Sequence, residues 1–290
     1  MFSPWDLHPR AGWSCEFEVE RFRKQGRTSS WRSIALGTWR APDDPTVYGL
    51  LDVEVTEALA HVKRLREATG VHVTLTHLVG KAVAMAIRER PDTNAIVRVG
   101  KRVHLRDTVD VFFQVAFEGG ENLSGAKIRR ADDKSLVDIA RELAERVARV
   151  REARDPELRR THALLQTLPG PLRRPIIRAM SFLTYDVGLN LEPMGIPYDA
   201  FGSAMVTNVG MFHLPVGFAP LVPFSHCPMV LTVGTVQDTP TAVDGRVEVR
   251  PTVTIGATFD HRLLDGFQAG QLAHRFTTIL RDPANHLPSP

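Results

Sequence analysis

The chain has 290 residues, 43% hydrophobic, 24% charged and 7% aromatic. That balance excludes a disordered, collagen-like or coiled-coil protein, and the length admits one large domain or two small ones. Lys and Arg number 36 against 33 Asp and Glu, a formal charge of +3, which falls short of the clustered basic excess of a dedicated nucleic-acid binder. Cys15 and Cys227 stand far apart and form no CxxC pair, zinc spacing or disulfide framework, which suits a reducing compartment. No window approaches the roughly 18 uninterrupted apolar residues of a transmembrane helix. Met1-Phe2-Ser3-Pro4-Trp5-Asp6 lacks the basic start and apolar run of a secretory signal. A cytoplasmic protein is expected.

Residues 1–45 read as an irregular or partly helical arm closed by the turn Ala41-Pro42-Asp43-Asp44-Pro45. Val47 to Val55 then alternates, with Tyr48, Leu50, Asp52 and Glu54 on one face and Val47, Leu51, Val53 and Val55 on the other. This predicts a half-buried strand. Thr56 is placed to cap a helix to Thr69, with Leu59, Val62, Leu65 and Ala68 at helical spacing and Gly70 as its stop. Thr74 or Thr76 opens an Ala- and Val-rich helix through Arg90, expected to be buried on most sides and ended by Pro91. Ile96 to Val99 and Arg102 to His104 flank Gly100-Lys101 as a hairpin, and Val109 to Phe117 is strongly β-prone.

Asp132 or Asp133 is expected to open a long helix from Lys134 to about Arg154, striped by Leu136, Ile139, Leu143, Val147 and Val150. A Pro-punctuated helical stretch follows from Asp155 to about Gly188. The last third reads as strands Ser203 to Val206, Met229 to Val233 and Arg246 to Thr258, with a hairpin turn at Val243-Asp244-Gly245. The closing helix, Asp265 to Arg281, carries Leu272, Phe276 and Leu280 inward. Mixed strands and helices in this order predict a single α/β layered domain over residues 46–290.

The stretch with most chemical content is Phe259-Asp260-His261-Arg262-Leu263-Leu264-Asp265-Gly266, where a histidine leaves a long β-run and a carboxylate and glycine begin a helix. Such junctions hold reactive groups on a rigid scaffold. An imidazole titrates near 6.5, so it can accept a proton at neutral pH. Asp260 and Asp265 could orient the ring or anchor the loop to an arginine; on spacing alone, the same charges also fit a helix cap and a surface ion pair.

Asp260-His261-Arg262-Leu263-Leu264-Asp265-Gly266 resembles the DHRxxDG signature of dihydrolipoamide acyltransferases, the acyl-transferring component of 2-oxoacid dehydrogenase complexes, and its HxxxDG core resembles chloramphenicol acetyltransferases. Three further segments support the resemblance in order. Leu78 to Ala84 through Arg90-Pro91-Asp92-Thr93-Asn94-Ala95 is similar to the family's buried helix and its P-x-x-N turn. Ile128-Arg129-Arg130-Ala131-Asp132-Asp133-Lys134-Ser135-Leu136 is similar to the opening of its long helix. Val206-Thr207-Asn208-Val209-Gly210-Met211-Phe212 is similar to its I-S-N-L-G-M-F segment.

The resemblance implies a chloramphenicol acetyltransferase-like two-layer α/β fold, a mixed β-sheet flanked by helices, assembled as a trimer. It implies a CoA-dependent acyltransferase, with coenzyme A as substrate and a thiol acceptor such as dihydrolipoamide. His261 matches the general base that takes the acceptor thiol's proton, and Thr207 stands where the family has a serine that donates to the oxyanion. Asp265 matches an aspartate that stabilises the site through an arginine, for which Arg32 is the candidate here. Asp260, Asn208 and Gly266 belong to the same supporting motifs. In the family the histidine and the hydroxyl come from neighbouring subunits.

The chain departs from the family pattern in several places. No segment resembles a lipoyl domain, a peripheral-subunit-binding domain or an Ala/Pro linker, so a lipoyl group is expected only on a partner protein. Asp132-Asp133-Lys134-Ser135 resembles a lipoylated turn superficially, but it opens a helix, so Lys134 is read as structural. About 152–195 reads as an insert carrying the basic and apolar stretch Leu172 to Leu183, read as packing within its own trimer or, alternatively, as a lid, a membrane-surface helix or a partner dock. The ending Pro283 to Pro290 lacks an apolar tail, so a free trimer is expected rather than a cage. Ser225-His226-Cys227 has no nucleophile-elbow glycines, His213 reads as a loop residue, and His72, His77 and His104 lack metal-ligand spacing, so no metal is expected. Two alternatives stand beside the thiol transferase: a non-catalytic trimeric scaffold, and an acetyltransferase acting on an amine or hydroxyl.

Overall fold

A computed structural model describes residues 44–99, 102–117, 122–151, 170–189, 191, 198–222, 224–243 and 245–287. The elements below belong to one compact unit, Pro45–Pro290. Its centre is a mixed sheet of β1 (Thr46–Glu54), β4 (Val111–Phe117), β5 (Asn122–Ile128), β6 (Ala204–Asn208), β7 (Met229–Val233), β8 (Gln237–Val243) and β9 (Arg246–Asp260). The strand order is β1-β9-β7-β6-β4-β5, with β8 also on β9. The β4–β6 and β6–β7 pairs are parallel and the others antiparallel. A separate hairpin joins β2 (Ala95–Arg98) to β3 (Arg102–Leu105).

Helices α1 (Thr56–Thr69), α2 (Leu75–Glu89), α3 (Leu136–Arg151) and α5 (Gly266–Arg281) pack beside this sheet, and the short α6 (Pro283–His286) closes the last turn. The expected alternation of β1 holds: Val53 is buried, while Tyr48 and Leu50 are exposed on the other face. In α1, Thr56 is the first helical residue and not the cap, because its own N–H is taken by Glu54 Oε1 at 2.7 Å. Gly70 ends the helix as expected, at a left-handed φ of 68° with its N–H on Arg66 O.

Helix α2 is buried almost all round, as its composition predicts. Thr74 caps it, and His77 returns the favour: His77 N–H donates to Thr74 Oγ1, and His77 Nδ1 accepts the Thr74 N–H at 3.0 Å. Burial first, then repulsion from His72 and Arg66, pushes the His77 imidazole down to about 4, so it stays neutral and its Nδ1 remains an acceptor. At Gly80 the helix meets β4 so closely that a Cβ would lie 2.2 Å from Phe113 Cζ. Lys81 is fully buried, and its Nζ donates to Ala131 O at 3.2 Å and Asp132 O at 2.7 Å.

Those two carbonyls explain a correction. The expected opening of α3 at Asp132 or Asp133 does not occur, because Lys81 holds the turn and Arg130 grips Asp133 at 2.6 Å. The cap is instead Ser135, whose Oγ accepts the Asp138 N–H at 3.1 Å. Lys134 pairs with Glu142 further along the helix. Leu136, Ile139 and Leu143 face the core as expected; the expected end near Arg154 falls within 152–169, outside the described residues. Strand β5, which followed no expected pattern, pairs along the whole of β4. Among the described residues no helix is long and apolar enough to cross a membrane.

Candidate functional site

The histidine loop is built from the end of β9. The Asp260 N–H donates to Pro228 O at 2.9 Å and the His261 N–H to Pro45 O at 2.8 Å, so both neighbouring strands hold the backbone where the histidine leaves the sheet. Leu263 and Leu264 then fold back, each N–H donating to Asp260 O at 3.0 Å, and both side chains are buried. The Asp260 carboxylate accepts a two-pronged contact from the Arg262 guanidinium, at 2.9 Å from Nε and 2.6 Å from Nη2, as well as the Arg262 N–H. The loop is thus fixed from below while the His261 side chain stands exposed, with no hydrogen-bond partner among the described residues.

Asp265 caps α5: its Oδ1 accepts the Phe267 N–H at 2.9 Å and the Gln268 N–H at 3.1 Å, and Gln268 Oε1 accepts the Asp265 N–H. Gln268 Nε2 also donates to Asp92 at 3.3 Å, which joins the turn after α2 to the first turn of α5. The Arg90 guanidinium holds the Asp92 carboxyl down at about 2 and is itself held above its ordinary range, chiefly by Asp92 and in small part by Asp265. Arg32 lies outside the described residues. Gly266 begins α5 with open space where a Cβ would be, so sterics do not require glycine there.

Thr207 lies on β6. Its neighbours Val206 and Asn208 face the helices: Val206 is in the main core and Asn208 Nδ2 donates to Thr76 Oγ1 at 3.0 Å, while Asn208 Oδ1 accepts the Met211 N–H at 3.2 Å. Thr207 therefore points to the opposite face, together with Met205, which packs with Cys227 and Val230. Its hydroxyl has no hydrogen-bond partner among the described residues.

The register keeps Thr207 and His261 apart. Thr207 is level with Thr232, and Thr232 with Gly256, which lies five residues before His261. At roughly 3.3 Å per residue and 4.8 Å per strand, that is about 16 Å along the sheet and about 10 Å across it. Each group can do part of an acid–base reaction, the imidazole accepting a proton and the hydroxyl donating a hydrogen bond, but one chain does not bring them together. A cavity between α2 and α5, lined by Ala86, Arg90, Phe267 and His274 among others, contains neither.

Ser225-His226-Cys227 is structural. Ser225 Oγ donates to Val222 O, and the Cys227 thiol is fully buried and pushed up to about 12, chiefly by that burial. The His226 ring stacks on Tyr185 at 4.1 Å and meets Ser181 Oγ at 2.9 Å. These contacts fasten the described part of the insert, α4 (Gly170–Ser181) and the turn Phe182–Asp186, to its own chain. Beneath them, buried Arg106 grips Asp199 at 2.8 and 3.0 Å and donates to His226 O, and the Tyr185 hydroxyl shares its one proton between Asp199 Oδ1 and Ser225 O, at 3.3 and 3.2 Å. Nothing in the sequence marks this cluster, since Arg106 and Asp199 are 93 residues apart. His213 is an exposed loop residue at φ 62°. Among the described residues no group of three or more His, Cys, Asp or Glu is placed to hold a metal ion.

Residues 40–158 and 200–287 match the family described as 2-oxoacid dehydrogenases acyltransferase (catalytic domain), and the chain belongs to that family. It is 24% identical over 242 residues to the dihydrolipoyllysine-residue acetyltransferase component of the pyruvate dehydrogenase complex of Zymomonas mobilis, covering 82% of this chain and 45% of that protein. It is also 24% identical over 255 residues to the lipoamide acyltransferase component of the branched-chain alpha-keto acid dehydrogenase complex of Bacillus subtilis, covering 86% and 50%. The chain thus spans about half the length of these relatives. Among solved structures it resembles a probable dihydrolipoamide acetyltransferase from Listeria monocytogenes, with a TM-score of 0.63 and 19% identity over 92% of this chain and 98% of that one. A structure of Azotobacter vinelandii dihydrolipoamide acetyltransferase, concerned with a serine, a histidine and an asparagine in its catalytic mechanism, gives 0.61 at 22% identity over 84% of each chain. The fold is that of these catalytic domains: α/β, a mixed sheet flanked by helices.

Proposed function

We propose that the protein is an acyltransferase that moves an acyl group between coenzyme A and a thiol acceptor of the dihydrolipoamide kind, in sites formed between copies of the chain in a trimer. The observation that carries this reading is the separation of an unpartnered, rigidly mounted His261 from an unpartnered Thr207, in a chain of this family. A second copy supplies what one copy lacks.

In the forward direction His261 takes the proton from the acceptor S–H, and the thiolate attacks the carbonyl carbon of the acyl thioester. The Thr207 hydroxyl of a neighbouring copy donates to the oxygen that becomes negative in the tetrahedral intermediate, a contact worth about 3 kcal/mol at the transition state. Collapse breaks the bond to the coenzyme A sulfur, which leaves with the proton from His261. Asp260 with Arg262, and Asp265 as the cap of α5, hold the loop; Asn208 and Gly266 complete the two motifs. Arg32 is proposed as the arginine partner of Asp265. The working compartment is proposed to be the cytoplasm.

Thiol release from acetyl-, propionyl- and isobutyryl-coenzyme A with dihydrolipoamide, run on wild type and His261→Ala together, tests the reading. Turnover that disappears in the variant is expected. Coenzyme A binding without turnover on any thiol would instead favour the amine or hydroxyl acceptor, and neither binding nor turnover the scaffold.

A further inference from the structure

The face of the sheet turned away from the helices carries a row of level residues across five strands: Gly125 on β5, Gln114 on β4, Thr207 on β6, Thr232 on β7 and Gly256 on β9. Residues paired in this way project to the same side. Three of the five have polar side chains, and they are used differently. Thr232 is committed to the fold: its hydroxyl contacts Gly217 O and, at 3.2 Å, Gly256 O, tying down the loop that crosses the sheet there. Gly256 leaves room for that loop, since a Cβ would lie 2.2 Å from Gly217 O. Gln114 and Thr207 are half-buried neighbours whose side chains have no hydrogen-bond partner among the described residues.

Gln114 is also out of place by composition. Val111, Phe112, Phe113 and Val115 around it are apolar, and Phe113 and Phe112 pack into the two cores on either side of the sheet. A partly buried amide without a partner costs stability unless something else satisfies it.

We propose that Gln114 is a second hydrogen-bond donor of the Thr207 centre, its Nε2 amide meeting the same acyl carbonyl oxygen that the Thr207 hydroxyl meets. This rests on the acyl-transfer reading and deepens it. Paired Cα atoms on adjacent strands are about 5 Å apart, and the longer glutamine side chain spans the gap to an atom in front of Thr207. Two donors converging on one oxygen form a hole for the charge that develops there, and a β-branched threonine, with its restricted χ1, sets one of them. The amide keeps both N–H groups at every working pH, so it adds a donor without adding a titration.

The test is steady-state kinetics on Gln114→Leu and on the nearly isosteric Gln114→Glu, with His261→Ala in parallel and thermal unfolding of each variant. A fall in kcat of roughly 10- to 100-fold is expected in both Gln114 variants, with KM for acyl-coenzyme A little changed, as for loss of an oxyanion donor. Unchanged kcat in both, with His261→Ala inactive, overturns the assignment of Gln114 alone. A loss confined to KM also overturns it, since the contact would then be made equally in the ground state. Full turnover in His261→Ala overturns the acyl-transfer mechanism and the Gln114 proposal with it. If Gln114→Leu unfolds, Gln114→Glu decides by the same readings.

Discussion

Mixing two inactive variants gives a direct test of where the site lies. His261→Ala removes the proposed base, and Thr207→Ala removes the proposed oxyanion donor at an expected cost of about 10²- to 10³-fold in kcat. Reacting groups must come within roughly 3.5 Å, whereas the register places these two about 16 Å apart along the strands and about 10 Å apart across them. Side chains of this length cannot close that gap, so the proposed site takes its histidine from one copy and its threonine from another. A closed trimer that contains both variants, whichever is in the majority, has one site in three that receives both groups intact, so about a third of the sites of mixed assemblies are complete. Co-expressed variants carrying different tags, purified through both tags and assayed for thiol release, should recover turnover near that fraction of wild type. Activity that stays at the level of the separate variants, despite proven mixed assemblies, would refute the shared site.

Other consequences are open to measurement. Gly80→Ala should lower stability in urea denaturation by about 1–3 kcal/mol through overpacking, outweighing alanine's helix advantage of about 1 kcal/mol; an unchanged midpoint would mean that the buried Phe113 ring gives way freely. Burial lowers the Lys81 ammonium from 10.5 to about 8. The unfolded chain therefore binds more protons between those two values, and this residue's contribution to stability should rise with pH across that window. Urea unfolding of wild type against Lys81→Met should show the rise only in wild type, and parallel profiles would contradict it. Asp265→Ala should cost about 1 kcal/mol in thermal unfolding by uncapping α5, and Asp265→Asn less. Asp199→Asn leaves Arg106 as an uncompensated buried charge and should cost about 3–5 kcal/mol; a loss below 1 kcal/mol would show that the cluster stays wet.

Much of the architecture was written in local patterns. The two faces of β1, the bounds of β7, the αL stop at Gly70 and the inward residues of α5 all follow from periodicity and turn chemistry acting within a few residues. The motif segments likewise brought His261, Thr207 and Asp265 into view. Other features depend on partners far away in the chain. Strand β5 contains Asn122, Ser124 and Gly125, poor β-formers, and exists because β4 offers it a full ladder. The start of α3 is not legible locally because Asp132, Asp133 and Ser135 are all good caps, and the choice among them is set by Lys81, 50 residues before Ala131, together with Arg130. Gln114 stood in a plainly β-prone run, but its meaning depends on which residue of β6 lies beside it, and strand register is invisible until the strands are paired.

Pro45 and Pro228 give the histidine loop a chemical origin as well as a position. Both immediately precede strands, β1 and β7, and both lend a carbonyl to the end of β9. Neither has an N–H to give in return. The ladder is therefore cut on both flanks at once: β9 can donate one rung further than its neighbours can answer. The Asp260 carbonyl, denied a donor by Pro228, is left for Leu263 and Leu264 to claim. The bend that presents His261 is thus the sheet's own unfinished edge, folded back on itself. Putting an ordinary residue at either proline would restore a donor and invite the ladder to grow by a rung, drawing the histidine back into the plane of the sheet.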